Sequence, residues 1–169
     1  GVIFMPAGNP VFKKHIEVSD AHHRVAMCRA AIEDNPAFDV STLEVDRAGD
    51  TYTVDTLETL RAHYPENVEL YFIAGADAIL TLPQWRDAPR LARLASFVGL
   101  NRPRSASLQS PQIAKKLAGT GFRTLFVEAP LFELSSSDIR KRILGNRSVR
   151  YLIPPAVLEY IESVGLYGD

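Results

Sequence analysis

The chain has 169 residues, with 19 Lys and Arg against 20 Asp and Glu, for a formal net charge of −1. That balance excludes a general polyanion binder, whose affinity rests on clustered positive charge that neutralises phosphates. With 46% hydrophobic and 23% charged residues, the composition is that of a globular protein rather than a disordered one. A chain this long buries roughly 70% of its unfolded surface, enough for a core without disulfides. None can form within it, since Cys28 is the single cysteine. The longest apolar stretches, such as residues 70–82, are broken by Gly75 and Asp77 and fall short of the ~20 residues that span a bilayer. No basic segment followed by an apolar one opens the chain, and a lone thiol suits a reducing compartment. The expectation is a cytoplasmic protein with no membrane and no nucleic-acid partner.

In chain order, residues 2–5 form a short apolar β-type run closed by Pro6, Gly8, Asn9 and Pro10, read as a buried strand and a loop. Ser19 is the expected N-cap of a helix whose Ala21, Val25, Cys28 and Ile32 share one face. Asn35-Pro36 ends it. Residues 38–45 predict a second strand, followed by a polar turn over 46–50. Val54, Leu57 and Leu60 mark a second helix. Residues 69–74 predict a strand running into Gly75-Ala76-Asp77, residues 88–95 a helix and residues 97–100 a strand. Residues 101–110, with Pro103 and three serines, read as a loop or excursion. A strand at 124–128, a capped helix at 136–144 and a last helix from 155 to about 164 complete the chain.

Strands alternating with helices at this spacing predict an α/β fold, a parallel sheet with helices on both faces, because parallel strands need a crossover element. Ligands in such sheets bind at the carboxyl ends of the strands. Those ends carry residues 6–9, 75–77, 101–104 and 128–130. The segment Leu134-Ser135-Ser136-Ser137-Asp138-Ile139-Arg140 is the most informative. Three hydroxyls enter a helix whose first N–H groups lack internal partners, with Arg140 one turn in, which suits an anionic phosphate. Taken alone, the segment reads more simply as an N-cap Ser and a surface Arg; its place after a predicted strand, at the sheet edge where ligands dock, changes that. Gly75 and Asp77 let a ligand approach and offer a carboxylate, or merely start a helix. Trp85, the single tryptophan, either stacks on an aromatic base or packs in the core. The hydroxyls of Thr51-Tyr52-Thr53-Val54-Asp55-Thr56 either bind an anion or cap. Lys13 and Lys14 follow the first strand, within phosphate reach or simply solvated. His22 and His23, adjacent on a helix, point about 100° apart, and His15 and His63 have no spaced partner, so no metal site is expected. No dinucleotide fingerprint, Walker loop or nucleophile elbow is present.

Together these segments resemble the bacterial nicotinate-nucleotide adenylyltransferases. The matching stretches are Met5-Pro6-Ala7-Gly8-Asn9-Pro10, Thr51-Tyr52-Thr53-Val54-Asp55-Thr56, Phe72-Ile73-Ala74-Gly75-Ala76-Asp77 and Leu82-Pro83-Gln84-Trp85. Further on come Phe97-Val98-Gly99-Leu100-Asn101-Arg102-Pro103, the Ser135 to Arg140 motif, and the ending Tyr151-Leu152-Ile153-Pro154 through Gly165-Leu166-Tyr167. The resemblance implies a Rossmann-like nucleotidyltransferase fold in a single domain, 1–169, whose helical part is about 135–169. It implies transfer of the adenylyl group of ATP, with Mg²⁺, to nicotinate mononucleotide, giving deamido-NAD and pyrophosphate in NAD biosynthesis.

By the same resemblance Ser135, Ser136, Ser137 and Arg140 hold the triphosphate, and Arg140 stabilises the departing pyrophosphate. Gly75 and Asp77 line the space between adenosine and the pyridine nucleotide. Tyr52, Thr53, Trp85, Asp77 and Lys13 meet nicotinate mononucleotide, although Val11-Phe12 stands where many members carry Pro-His. The family's first signature, Gly-Gly-Thr-Phe-Asp-Pro-x-His-x-Gly-His, has no counterpart here. The chain is therefore expected to start at the family's second strand, without the family's catalytic histidines. Two alternatives stand beside this reading. One is a non-catalytic nucleotide-binding domain; the other is an adenylyltransferase for another acceptor, such as nicotinamide mononucleotide or phosphopantetheine. The oligomeric state is unread, a homo-oligomer included.

Overall fold

Short β-branched and aromatic runs separated by helices pair side by side in parallel, and the computed structural model has that arrangement. It describes residues 1–10, 19–100, 115–128, 130 and 134–168. The chain divides into two compact units, residues 1–51 with 134–169, and residues 52–133.

In the first unit, β1 (Val2–Phe4) pairs in parallel with β3 (Phe38–Val40), Val2 opposite Phe38. The crossover between them contains α1 (Ala21–Ile32). A second parallel pair joins β2 (Asn9–Pro10) to β4 (Asp50–Thr51). Two later helices belong to this unit, α5 (Ser136–Leu144) and α6 (Pro155–Ser163). Helix α1 packs on α6 and on β3. Val25, Ile139, Val149, Val157 and Ile161 are the buried apolar side chains of this unit among the described residues. Their spacing on α6, Val157 to Ile161, is one helical turn, which puts both on one stripe.

In the second unit, α2 (Thr53–His63) leads to β5 (Tyr71–Gly75), which runs directly into the short α3 (Ala76–Ile79). Then come α4 (Ala88–Leu94), β6 (Ser96–Leu100) and β7 (Thr124–Val127). The sheet order is β5-β6-β7, all parallel, with Tyr71 opposite Ser96 and Phe97 opposite Thr124. The core gathers Val54, Leu57, Ala76, Ile79, Leu82, Leu91, Ala95, Phe97 and Leu117. Phe97 is fully buried on the central strand, with the Phe72 and Phe122 rings 5.9 and 5.3 Å away. Val54 and Leu57 from α2 and Leu91 from α4 belong to this cluster, and the two helices pack on each other.

Several expectations change. The first strand is not buried: Ile3 and Phe4 are exposed, since among the described residues β1 pairs with β3 alone. Asn9–Pro10 and Asp50–Thr51, read as loop and turn, pair as the short strands β2 and β4. The second strand ends at Val40, not 45, because Thr42 and Asp46 close a turn: the Asp46 N–H donates to the Thr42 carbonyl at 2.8 Å and the Thr42 hydroxyl to the Asp46 carboxylate at 2.7 Å. Side chain-to-backbone competition of this kind stops a ladder. Ser19 does not cap α1. Asp20 holds that position without a side-chain cap bond, and the Ser19 hydroxyl is instead hydrogen-bonded to the hydroxyl of Tyr167. The His22 and His23 rings do not diverge but lie 3.8 Å apart, and His23 Nδ1 and the Tyr160 hydroxyl share a hydrogen bond of 2.8 Å.

Candidate active site

The phosphate motif opens α5 as its residues dictate. Ser135 is the N-cap in extended conformation; its hydroxyl accepts from the Asp138 N–H at 3.1 Å and donates to the Asp138 carboxylate at 2.5 Å. The Ile139 N–H donates to the Ser135 carbonyl at 3.1 Å. Those bonds consume the third and fourth amides of the helix and leave the Ser136 and Ser137 N–H groups without a described partner, at the positive end of the macrodipole. Arg140 folds back along the same face, and its Nη2 donates to the Ser137 hydroxyl at 3.2 Å. Two amides, two hydroxyls and a guanidinium thus share one helix start, the donor set for a phosphate chain. Helix α5 closes with Asn146 in the left-handed region, φ 51°, where the Arg147 N–H donates to the Arg142 carbonyl at 2.8 Å.

The loop after β1 lies in the same unit. Gly8 packs so closely that a side chain there would run into the Glu44 carbonyl, with the Thr51 hydroxyl 3.1 Å from it. The Thr51 hydroxyl is buried without a partner among the described residues. One guanidinium holds this loop. Arg24 on α1 donates to the Ala7 carbonyl at 2.6 Å, the Gly8 carbonyl at 3.2 Å and the Ser19 carbonyl at 3.0 Å. Lys13 falls between those anchor points and, like residues 101–114, lies outside the described residues.

In the second unit, Tyr52 is the N-cap of α2 and Thr53 its first residue, and neither hydroxyl makes a cap bond. Tyr52 and Trp85 both pack against the same core cluster. Trp85 is half-buried; its Nε1 donates to the Thr81 hydroxyl at 2.9 Å, and its ring meets Phe72 edge-on at 5.8 Å. The Arg86 guanidinium lies 4.3 Å from the Tyr52 ring centroid, a cation–π contact. Gly75 is buried where β5 passes into α3, and Asp77 is exposed in the first turn. The residues singled out from the sequence therefore form two groups, Ser135 to Arg140 in one unit and Tyr52, Thr53, Gly75, Asp77, Trp85 in the other. A hollow of about 490 Å³ beside Leu117, Gly121 and Phe122 contains none of them.

Arg24, Arg86 and Tyr167 were not picked out from the sequence as site residues. Arg24 sits between apolar-face positions, with nothing in its spacing to separate it from a solvated arginine; Arg86 carries a signal only in following Trp85. Cys28, one turn after Arg24, is half-buried; burial pushes its thiol above the usual range and the Arg24 charge opposes that.

Residues 1–142 match the Cytidylyltransferase-like family. The "Probable nicotinate-nucleotide adenylyltransferase" of Corynebacterium jeikeium is 43% identical over 171 residues, covering 98% of this chain and 84% of that relative. Its namesake in Moorella thermoacetica is also 43% identical, covering 98% of this chain and 77% of the relative. Among solved structures, the Plasmodium falciparum nicotinic acid mononucleotide adenylyltransferase complexed with NaAD superposes with a TM-score of 0.71 at 23% identity, covering 98% of this chain and 81% of that one.

Proposed function

The chain belongs to the nicotinate-nucleotide adenylyltransferases, nucleotidyltransferase enzymes of the Cytidylyltransferase-like family, and from that premise we propose that it transfers the adenylyl group of ATP to nicotinate mononucleotide. A 5′-phosphate oxygen of the mononucleotide attacks the α-phosphorus of ATP. The bond from that phosphorus to the β-phosphate bridging oxygen breaks, giving deamido-NAD and pyrophosphate. Positioning and charge stabilisation carry such a reaction, with no covalent enzyme intermediate.

The observation that carries the proposal is the open first turn of α5, where Arg140 is folded onto Ser137. Ser136, Ser137 and Arg140 bind the triphosphate, and Arg140 steadies the pyrophosphate as it leaves. Ser135 serves the same site by fixing the turn through its cap. Tyr52, Thr53 and Trp85 receive the pyridine ring and its carboxylate; Arg86, stacked on Tyr52, places a positive charge beside them that favours the acid over the amide. Gly75 and Asp77 bound the space between the two nucleotides, and Lys13 meets the acceptor phosphate. Both units form one nucleotidyltransferase domain.

Mg²⁺ belongs to the ATP. Among the described residues no three His, Cys, Asp or Glu side chains converge; an ion brought in with ATP would be held mainly by phosphate oxygens. When bound, the ion neutralises phosphate charge. No described helix is long and apolar enough to cross a membrane, and we place the enzyme in the cytoplasm, acting on small-molecule nucleotides.

The test is chromatographic detection of dinucleotide from ATP, Mg²⁺ and either nicotinate or nicotinamide mononucleotide, with protein made from its complete reading frame. Deamido-NAD formed in preference to NAD is the expected result. NAD formed as readily refutes the acid preference, and no dinucleotide from folded protein refutes the activity, leaving a non-catalytic nucleotide-binding domain.

A further inference from the structure

Helix α6 ends in a turn that spends backbone freedom to deliver one side chain. Gly165 lies at φ 64°, the Leu166 N–H donates to the Ile161 carbonyl at 3.0 Å and the Gly165 N–H to the Glu162 carbonyl at 3.3 Å. This is the double-bonded reversal that glycine permits at a helix end. Tyr167 follows, itself at φ 64°, a conformation that costs a residue with a Cβ and persists only when its surroundings hold it. Those surroundings are specific. The hydroxyl of Tyr167 is hydrogen-bonded to that of Ser19. Its ring centroid lies 6.0 Å from the Arg140 guanidinium carbon. The Ser19 carbonyl in turn accepts from Arg24, which grips the Ala7 and Gly8 carbonyls.

We infer that Tyr167 is a positioning residue for ATP: its ring holds the Arg140 guanidinium over the start of α5, and its hydroxyl ties that ring to Ser19 and the Arg24-bound loop after β1. The inference rests on the assignment of Arg140 to the triphosphate. A guanidinium on a flexible stem samples many rotamers; its hydrogen bond to Ser137 and its contact with the Tyr167 ring restrict it before the substrate arrives. The ring does this without cancelling charge, since it is neutral and the attraction comes from its quadrupole. The residues joined here come from four places in the chain, the β1 loop, α1, α5 and the C-terminal turn, all in the first unit.

The experiment compares Tyr167→Leu, Tyr167→Phe, Arg140→Ala and the Arg140→Ala/Tyr167→Leu double variant in protein made from its complete reading frame. Each substrate is varied at saturating levels of the other, and folding is checked by thermal melts. Tyr167→Leu should raise KM for ATP about two- to fivefold, the measure of one exposed cation–π contact, with KM for nicotinate mononucleotide unchanged. Tyr167→Phe keeps the ring and should stay nearer the wild-type KM for ATP even where its melting temperature falls. The double variant should bind ATP no worse than Arg140→Ala, because both changes remove one coupled interaction. Equal losses for both substrates, losses that follow melting temperature across Leu and Phe, or full additivity in the double variant would overturn the role of Tyr167 while leaving Arg140 in place. An Arg140→Ala enzyme with unaltered KM for ATP would overturn the assignment of Arg140, and this inference with it.

Discussion

Replacing Arg24 with Met keeps most of the aliphatic stem and deletes a guanidinium that donates to three carbonyls, at 2.6, 3.0 and 3.2 Å. Each bond contributes about 1 kcal/mol net when its partners are part-buried, so the loss should be about 3 kcal/mol. For a chain of this size that corresponds to a fall of about 6–12 °C in melting temperature. Two of the carbonyls, Ala7 and Gly8, precede the loop that leads to Lys13, and the third, Ser19, follows it. A uniform loss of stability should therefore be accompanied by a rise in KM for the mononucleotide. Urea unfolding gives the stability directly, provided the slope is unchanged from wild type. Arg24→Lys is the control: its ammonium keeps the charge but cannot present the planar fork, so it should recover the smaller part of the loss. A loss below about 1 kcal/mol for Arg24→Met would mean that water satisfies these carbonyls as well as the guanidinium does, and that the loop is held by other contacts.

The remaining predictions concern single groups. Ser135→Ala removes a helix cap and should cost about 1 kcal/mol, read as a fall of about 2–4 °C in melting temperature; a larger effect on KM for ATP than that of Ser136→Ala would show that its hydroxyl meets phosphate directly. Thr51→Val exchanges a buried hydroxyl lacking a described partner for a methyl of like shape, so it should be neutral or stabilising by about 1 kcal/mol in urea unfolding, and a loss of that size would reveal a partner. The Cys28 thiol, raised above its ordinary value by burial, should react slowly with iodoacetamide at neutral pH, the rate climbing only at alkaline pH. Because the folded pKa exceeds the unfolded one, the thiol's contribution to stability falls as pH rises through that window. In Arg24→Met the alkylation midpoint should move further up, since the opposing charge is gone; a midpoint at or below that of an unfolded thiol contradicts this.

Legibility in the sequence followed the range of the interaction. The helix at 136–144 matched in full, because its cap, acidic first turn and apolar spacing all lie within a few residues. The order of the longer strands and helices was equally local, whereas the two-residue strands β2 and β4 lie in stretches that read as loop and turn. Strand 38–45 failed at its far end because Val45 and Leu43 look like strand residues, while the Thr42–Asp46 pair that bends the chain is read only once their side chains are seen to meet. Ser19 had the identity of a cap, yet its hydroxyl goes to Tyr167, 148 positions away. The contacts of Arg24 with Ala7 and Gly8 span 17 and 16 positions, and no periodicity registers them. The phosphate-type motif was legible as chemistry; what holds it in place was not, since the Tyr167 ring reaches Arg140 through the fold alone.

The arginines differ in what they are left to do. Arg90 is paired with Glu58 and Arg61 donates to the Val68 and Pro65 carbonyls, so each is bound to acceptors of its own unit. Among the described residues Arg140 is met by a hydroxyl and an aromatic ring, partners that orient a guanidinium without neutralising it. Arg86, over the Tyr52 ring, is held in the same manner. An arginine meant to receive a phosphate or carboxylate gains from this arrangement, because a carboxylate partner would have to be displaced first and the substrate's anion would then compete with it. Arg150, 5.8 Å from the Tyr151 ring centroid, is held over a ring as well, but Arg140 and Arg86 are the ones next to the proposed substrate groups, one at the serines that open α5 and one following Trp85. The triphosphate and the nicotinate carboxylate are two of the anionic groups the proposed reaction must place, and on that proposal Arg140 and Arg86 would receive them.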